Sequence, residues 1–471
     1  MDPKFSIITH SDKGLLLSLN QEMNDMVRLS NITGLEVERC VYSNTVILIY
    51  SKEKVILYEI KNGKQISEFV MKEIKEMKIS DSENLYAFLS LERIFYVFTK
   101  EKIIFQEKFV EKFSFSDDYL LILKNGEATV YKIRNNEFNI ISKERNVFDF
   151  SVHEDSYVIV YKKSEKNVFK LQINSRNVVS CFEFEKLEKI EMKKKDNNFL
   201  FLITTDYVTN TYFGHTKIFF YSGTTRKLKE IYNLNPIHSF CFLNDGFAIC
   251  YGDQPSNVSI YDYNCQEIKK FPRGVRNKMY FNLHENLVCF CGFNNLSGEI
   301  EIYGIQDLEI KAKLKELGAS SVCWSPCGRY FCVATTKELR VDNKISVFDY
   351  FGRKIVEKNF EKLESCFWFG EKENFTALEK PKNMNLAVEK HYVPPNLRNS
   401  NYHQKLDKKH QILKKSKGKI NNSMSKEDII DKLNTIKELK KRLESGEKLN
   451  IENLNLISSE TFYLNELNKK S

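Results

Sequence analysis

Residues 321–357 read SVCWSPCGRYFCVATTKELRVDNKISVFDYFGRKIVE, an alternation of short apolar runs and turn-forming clusters. Val322 to Trp324 predicts a short strand. Ser325-Pro326-Cys327-Gly328 predicts a turn, in which proline presets φ and glycine closes the reversal. Tyr330 to Thr335, rich in aromatic and β-branched residues, predicts a second strand. Lys344 to Tyr350 predicts another, and Phe351-Gly352 turns the chain into one more, while Asp342-Asn343 reads as a polar turn before it. Four short strands in so brief a stretch are the content of one β-propeller blade.

The unit recurs. Its marker is the last apolar residue before each turn of the Ser/Asn/Asp/Gly kind. Trp324 precedes SPCG, and Trp368 precedes FGEKEN 44 residues later. Phe281 before NLHEN lies 43 residues upstream of Trp324, and Phe242 before LNDG a further 39. Fainter markers continue back through Met192, Val152, Phe115, Ile79 and Val41, at intervals of 50, 40, 37, 36 and 38. A period near forty marks four-stranded blades, each able to bury its faces only against neighbours. The longest interval predicts a loop insertion around residues 206–215.

Nine markers predict an all-β, WD40-like β-propeller of nine blades over residues 1–378; eight is the alternative if one faint marker is spurious. The last unit, 363–377, is too short for a whole blade, and the N-terminal runs FSII and LLLSL carry no marker. Pairing the first and last segments in one shared blade closes the ring and removes two exposed sheet edges.

Beyond the propeller the period turns helical. Ser425 followed by Asp428 reads as a capping box. Ile429, Leu433, Ile436, Leu439 and Leu443 then recur at helical spacing, until Ser445-Gly446 ends the run. A second helix is expected from about Asn450, with Leu454, Ile457 and Leu464 on one face. Residues 427–471 therefore predict an amphipathic hairpin. Its apolar face, Ile429, Leu433, Ile436, Leu439, Leu454, Ile457 and Leu464, either packs on itself or docks a partner.

Charge isolates the segment between. The chain carries a formal net charge of +9, and residues 379–426, with twelve basic and three acidic side chains, hold an excess of that whole size. The segment contains Pro381, Pro394 and Pro395 and the run KLDKKHQILKKSKGK, with no apolar periodicity. High net charge with low hydrophobicity predicts a disordered basic linker. Arg398, Lys405, Lys408, Lys409, Lys414, Lys415, Lys417 and Lys419 are its candidate RNA contacts, suited to phosphates rather than to base edges. A solvated spacer between two domains is the plainer reading.

Catalytic chemistry is not visible. The chain has no Walker A loop, no dinucleotide fingerprint, no H-E-x-x-H and no G-x-S-x-G. Its histidines are scattered, with His10, His153, His215, His238 and His284 at predicted strand ends or turns. None of the eleven cysteines forms a C-x-x-C pair, and most sit in apolar strands, where a thiol acts as a small hydrophobe. Cys323, Cys327 and Cys332 flank one turn and are expected to be structural. No cofactor, metal site or catalytic residue is expected. No apolar run approaches the length of a membrane helix, and the N-terminus lacks the pattern of a secretory signal, so a reducing, cytoplasmic setting is expected.

Four stretches resemble the eukaryotic translation initiation factor 2A family. They are the GFNNLSG segment at 292–298 with EIEIY after it, and Trp324 with Gly328, ATT at 334–336 and LRVDN at 339–343. The third is YVPPNLRN at 392–399 and the fourth the closing helical segment. The motif positions are Trp324, Gly328, Arg340, Asn343, Tyr392, Pro394, Pro395 and Arg398. The resemblance covers residues ~205 onward. It implies a propeller with a basic and helical tail and no enzymatic activity. It also implies small ribosomal subunit and initiator tRNA as partners, with mRNA and other initiation factors beyond them, and GTP-independent delivery of initiator methionyl-tRNA. The alternatives are a generic propeller scaffold for protein interactions, or a component like propeller subunit b of initiation factor 3.

Overall fold

The second strand of a blade is covered on both faces by neighbouring blades, so it should be apolar along its whole length. Val46–Ser51, Tyr86–Ser90, Gly246–Tyr251 and Leu287–Cys291 are buried at every position. Fourth strands lie at the outer edge, with one face to solvent, and alternate accordingly, as Glu137–Arg145 does. A two-residue type I′ hairpin, such as joins the second and third strands of one blade, needs positive φ at both positions. Asn125 and Gly126 supply it at 51° and 74°.

The computed structural model describes residues 6–11, 14–18, 26–28, 37–60, 63–163, 168–175, 178–185, 187–205, 215–339, 342–370, 372, 375 and 433–439. Among these, nine four-stranded antiparallel sheets follow one another in chain order. Blades 1 to 8 span 39–70, 74–107, 112–145, 147–185, 187–231, 237–274, 278–315 and 321–360. The ninth joins the two ends of the ring. Its inner strand, Leu363–Phe369, pairs with Ser6–Ser11, followed by Gly14–Ser18 and Met26–Arg28. The register sets Ile8 opposite Phe367 and Thr9 opposite Cys366.

All nine sequence markers fall in the first strand of a blade. Val41, Ile79, Phe115 and Val152 lie in Arg39–Tyr42, Ile74–Ile79, Lys112–Phe115 and Val147–His153. Met192, Phe242, Phe281, Trp324 and Trp368 lie in Leu187–Lys195, Ile237–Leu243, Lys278–Phe281, Ser321–Trp324 and Leu363–Phe369. The count is nine rather than eight. The extra length in blade 5 falls where the sequence places it: Thr205 pairs with His215 across the hairpin, and residues 206–214 lie outside the described residues. One local expectation fails. Asn343 opens the strand Asn343–Asp349 instead of sitting in a turn, because its side chain is needed at the next blade, as shown below.

First strands touch one another in succession and form the inner ring. The markers hold it together. Trp324 Nε1 donates to the Tyr280 carbonyl at 2.8 Å, and Trp368 Nε1 to the Cys323 carbonyl at 2.9 Å. Each acceptor immediately precedes the marker of the preceding blade. Val152 repeats the relation with its backbone N–H, which donates to Ser114 Oγ at 2.9 Å. Replacing Trp368 by phenylalanine removes the donor together with the smaller part of the ring. We expect Trp368→Phe to lose about 1 kcal/mol of stability in urea unfolding. An unchanged midpoint would show that the indole N–H contributes nothing.

A second set of bonds links the turns that follow the first strands, around one rim. Asn44 and Thr45 donate their N–H groups to Glu83 Oε1 at 2.9 and 3.2 Å. Ser82 N–H donates to Asp117 at 2.8 Å, and Ser116 Oγ to the Glu154 carbonyl at 2.6 Å. Lys194 ties blade 5 to Glu154 and Asp155 of blade 4 at 2.7 and 3.2 Å. Lys195 reaches Asn244 at 2.7 Å, Asn244 N–H donates to Glu285 at 2.7 Å, and Asn282 Nδ2 to the Gly328 carbonyl at 3.4 Å. At the ring's closure Tyr42 stacks on Phe367, with centroids 3.4 Å apart and planes within 6°.

The chain divides into two compact units, Met1–Ala387 and Val388–Ser471. In the second, residues 433–439 are helical, with Leu433 half-buried and Ile436 and Leu439 buried. The rest of the expected hairpin, including Ile429, Leu454, Ile457 and Leu464, and the basic linker 379–426 lie outside the described residues.

Candidate functional site

Three of the motif positions are described, and all three sit between blades. Trp324 bonds to blade 7 as above. Gly328 has φ of 73°, in the left-handed region that favours glycine. A Cβ there would lie 2.7 Å from His284 Cδ2 and 2.8 Å from Asn282 Nδ2, both on the turn of blade 7. Asn343 is buried, and its Oδ1 accepts the Leu363 N–H at 2.8 Å, at the start of blade 9. The GFNNLSG segment is held within blade 7, to the residue that leads into its first strand. Asn277 Nδ2 donates to the Phe293 carbonyl at 2.9 Å, and Phe293 N–H to Asn277 Oδ1 at 3.0 Å. The motif residues in blades 7 and 8 thus set the relative placement of blades 7, 8 and 9. Arg340, Tyr392, Pro394, Pro395, Arg398, Lys405, Lys408, Lys409, Lys414, Lys415, Lys417 and Lys419 lie outside the described residues.

Local sequence gives no sign of the concavity at the ring's closure. A cavity of about 550 Å³ is lined by His10, Arg39, Lys75, Glu76, Lys337 and Glu364, with Glu38, Cys40, Val41, Met77 and Ser365 completing it. Its residues come from blades 8, 9, 1 and 2, so only closure of the ring assembles them. Lys337 and Lys362 share Glu364 at 2.5 and 3.1 Å, and Lys78 pairs with Glu76 at 3.1 Å. His10 Nε2 donates to the Val37 carbonyl at 2.9 Å, which leaves Nδ1 to face Cys40 Sγ at 3.5 Å. Burial pushes the Cys40 thiol up to about 12 and pulls His10 below the ordinary imidazole value. This cysteine therefore stays a protonated thiol beside a neutral imidazole, which is the opposite of an activated thiolate. Mixed, mutually paired charges suit a polar contact surface.

Cysteine placement also differs from the reading of the sequence. Cys327 turns toward Ser325 Oγ at 3.2 Å. Cys366 of blade 9 instead joins Cys323 and Cys332, and the three Sγ atoms lie within 4.8 Å of one another.

His153 carries a pH dependence. It ends the first strand of blade 4, with Nε2 2.8 Å from Ser151 Oγ and its ring edge-on to Phe199. Burial, assisted by the Lys194 cation, pulls its pKa from 6.5 to about 4. Between those values the unfolded chain takes up a proton that the folded chain refuses. The stability present above pH 6.5 is therefore lost as pH falls toward 4. At full effect the loss is up to about 3 kcal/mol. We expect His153→Gln to flatten the acid limb of a plot of urea midpoint against pH. A limb as steep as that of the unsubstituted chain would assign the dependence to other groups.

A closed ring of nine four-stranded antiparallel blades is a β-propeller. No helix among the described residues is long and apolar enough to cross a membrane. Residues 180–366 match the family model described as Eukaryotic translation initiation factor eIF2A. The chain is 29% identical over 241 residues to Eukaryotic translation initiation factor 2A of Drosophila melanogaster, covering 47% of this chain and 38% of that protein. It is 28% identical over 207 residues to the Schizosaccharomyces pombe protein of the same name, covering 42% and 36%. The match thus spans less than two fifths of each relative's length. A solved structure described as that of a eukaryotic initiation factor shares the fold, with a TM-score of 0.65 at 17% identity, over 78% of this chain and 98% of that one. The matched domain, and relatives spread across eukaryotes, make this part of the chain similar to the eukaryotic translation initiation factor 2A family.

Proposed function

We propose that this chain is a non-catalytic, cytoplasmic translation initiation factor that binds the small ribosomal subunit and promotes GTP-independent binding of initiator methionyl-tRNA. The observation that carries the reading is the family match across 180–366, which falls on the propeller's blades 4 to 9. In this reading the propeller is a rigid platform whose blades are locked by the marker bonds and the rim bonds. The basic segment 379–426 supplies phosphate contacts to RNA, and the helix over 433–439, whose apolar face at Ile436 and Leu439 is covered within the chain, turns its exposed polar face to a protein surface. Other initiation factors and mRNA are further partners.

The test is co-sedimentation of the full chain with purified small subunits, then with initiator methionyl-tRNA, in the absence and presence of GTP. Retention on the subunit, and tRNA retention that does not depend on GTP, are expected. If the chain never migrates with subunits, the ribosomal reading fails and a propeller scaffold for other proteins replaces it. If subunits are bound but tRNA retention requires GTP, the platform stands and the delivery mechanism falls.

A further inference from the structure

The three thiols that meet between blades 8 and 9 come from three strands. Cys323 and Cys332 are opposed partners in the pairing of Ser321–Trp324 with Tyr330–Thr335. Cys366 arrives from Leu363–Phe369, the strand whose other edge pairs with the N-terminal segment. All three Sγ atoms lie within 4.8 Å of one another, and those of Cys332 and Cys366 are 3.6 Å apart. A metal ion bound at about 2.3 Å to thiolates arranged tetrahedrally holds its sulfurs about 3.8 Å apart. The cluster therefore needs adjustments of an ångström or less to close on an ion.

We infer that Cys323, Cys332 and Cys366 form a binding site for one soft, thiophilic metal ion, with Zn²⁺ as the divalent representative. The donor set favours such an ion. Thiolate ligands select Zn²⁺ and Cu⁺ over oxygen-seeking ions, and Ala334, Ile345, Val347 and Leu363 give the cluster an apolar lining. Each thiol that ligates releases its proton to solvent. Three protein sulfurs complete a trigonal ion and leave a tetrahedral one a single position for water.

The location gives the site a purpose. Cys366 lies opposite Thr9 in the sheet that joins the chain's two ends. An ion shared by blades 8 and 9 would fasten the closing blade to its neighbour, where the ring depends on contacts between distant parts of the chain. Such a trio is invisible to spacing rules, since Cys366 follows Cys332 by 34 residues.

The test uses the full chain, purified under a thiol reductant, loaded with Co²⁺ or Zn²⁺ and dialysed. We expect one bound metal per chain, with the near-ultraviolet sulfur-to-cobalt charge-transfer band in the Co²⁺ form, displaced by Zn²⁺. Cys366→Ser should reduce retained metal to about a tenth or less, since a two-sulfur remnant binds weakly. Cys250→Ser, at a buried cysteine of blade 6, should retain it in full. Circular dichroism of each variant separates loss of the site from loss of the fold. If Cys366→Ser unfolds, Cys323→Ser, at the other half-buried position of the trio, gives the same reading. Three alkylatable thiols with no retained metal in the unsubstituted chain would overturn the inference. So would a Cys332–Cys366 disulfide, seen as a mass deficit of two hydrogens.

Discussion

Gly298→Ala is expected to lower the unfolding free energy by about 4 kcal/mol, the sum of backbone strain and a steric clash. Gly298 closes the loop between strands Leu287–Cys291 and Glu299–Gly304 of blade 7, with φ of 78°. Its N–H donates to the Gly292 carbonyl at 2.8 Å, and its own carbonyl accepts the Glu316 N–H at 2.9 Å. A Cβ there would sit against the Glu316 carbonyl, 2.9 Å from its carbon and closer still to its oxygen. The linker between blades 7 and 8 cannot easily retreat. The Glu316 side chain is buried and anchored to Lys344 at 2.8 Å and Lys354 at 2.9 Å. Glu357 shares both lysines, which with the Ser346 hydroxyl hold its pKa down to about 2. Displacing the linker therefore strains a four-membered ion-pair network as well as the backbone.

A second glycine separates the two contributions. Gly126 has nearly the same φ, 74°, but a Cβ there meets nothing within 4 Å. Gly126→Ala should cost only the left-handed backbone penalty, about 1–2 kcal/mol. The chain's two tryptophans, Trp324 and Trp368, lie in blades 8 and 9 and report unfolding of that region by fluorescence in urea. Equal losses from the two alanines would mean that the Glu316 linker yields freely, and the steric part of the argument would be wrong.

The blades were legible because each repeats one local problem. A first strand must set a large apolar side chain against the preceding blade and then turn at once. Trp324 and Trp368 solve it with an indole that also donates a hydrogen bond, so they stand out. Val41 solves it faintly, since Tyr42 beside it carries the stacking contact with Phe367. Local pattern could not show what ring closure creates. His10, Arg39 and Lys337 share one cavity only because residues 6–11 and 363–369 form one sheet, and Cys366 reaches Cys332 only because the first strand of blade 9 packs on blade 8. Trp324, Gly328 and Asn343 were legible as a motif but not as inter-blade bonds. Their partners, Tyr280, Asn282 and Leu363, lie in the neighbouring blades.

Replacing Lys405, Lys408, Lys409, Lys414, Lys415, Lys417 and Lys419 together by glutamine is expected to remove most of the chain's affinity for RNA. Charge alone sets the size of the effect. If each lysine neutralises one phosphate of a single strand, the logarithm of the binding constant falls with the logarithm of salt at a slope of about −5. Raising salt fourfold then weakens binding by roughly a thousandfold, and the glutamine variant should begin near the weak end at every salt concentration. Segments outside 379–426 cannot restore the effect through bulk charge, because their acidic and basic residues nearly balance. Replacing the same seven lysines by arginine should preserve the slope, since phosphate neutralisation requires a cation and no particular base-reading geometry. Oligo-uridine and oligo-adenosine should bind alike for the same reason. Filter binding across a salt series reads both quantities. A glutamine variant that keeps the slope of the unsubstituted chain would move the phosphate contacts to the propeller, where the mixed-charge cavity beside Arg39, Lys75 and Lys337 becomes the first place to substitute.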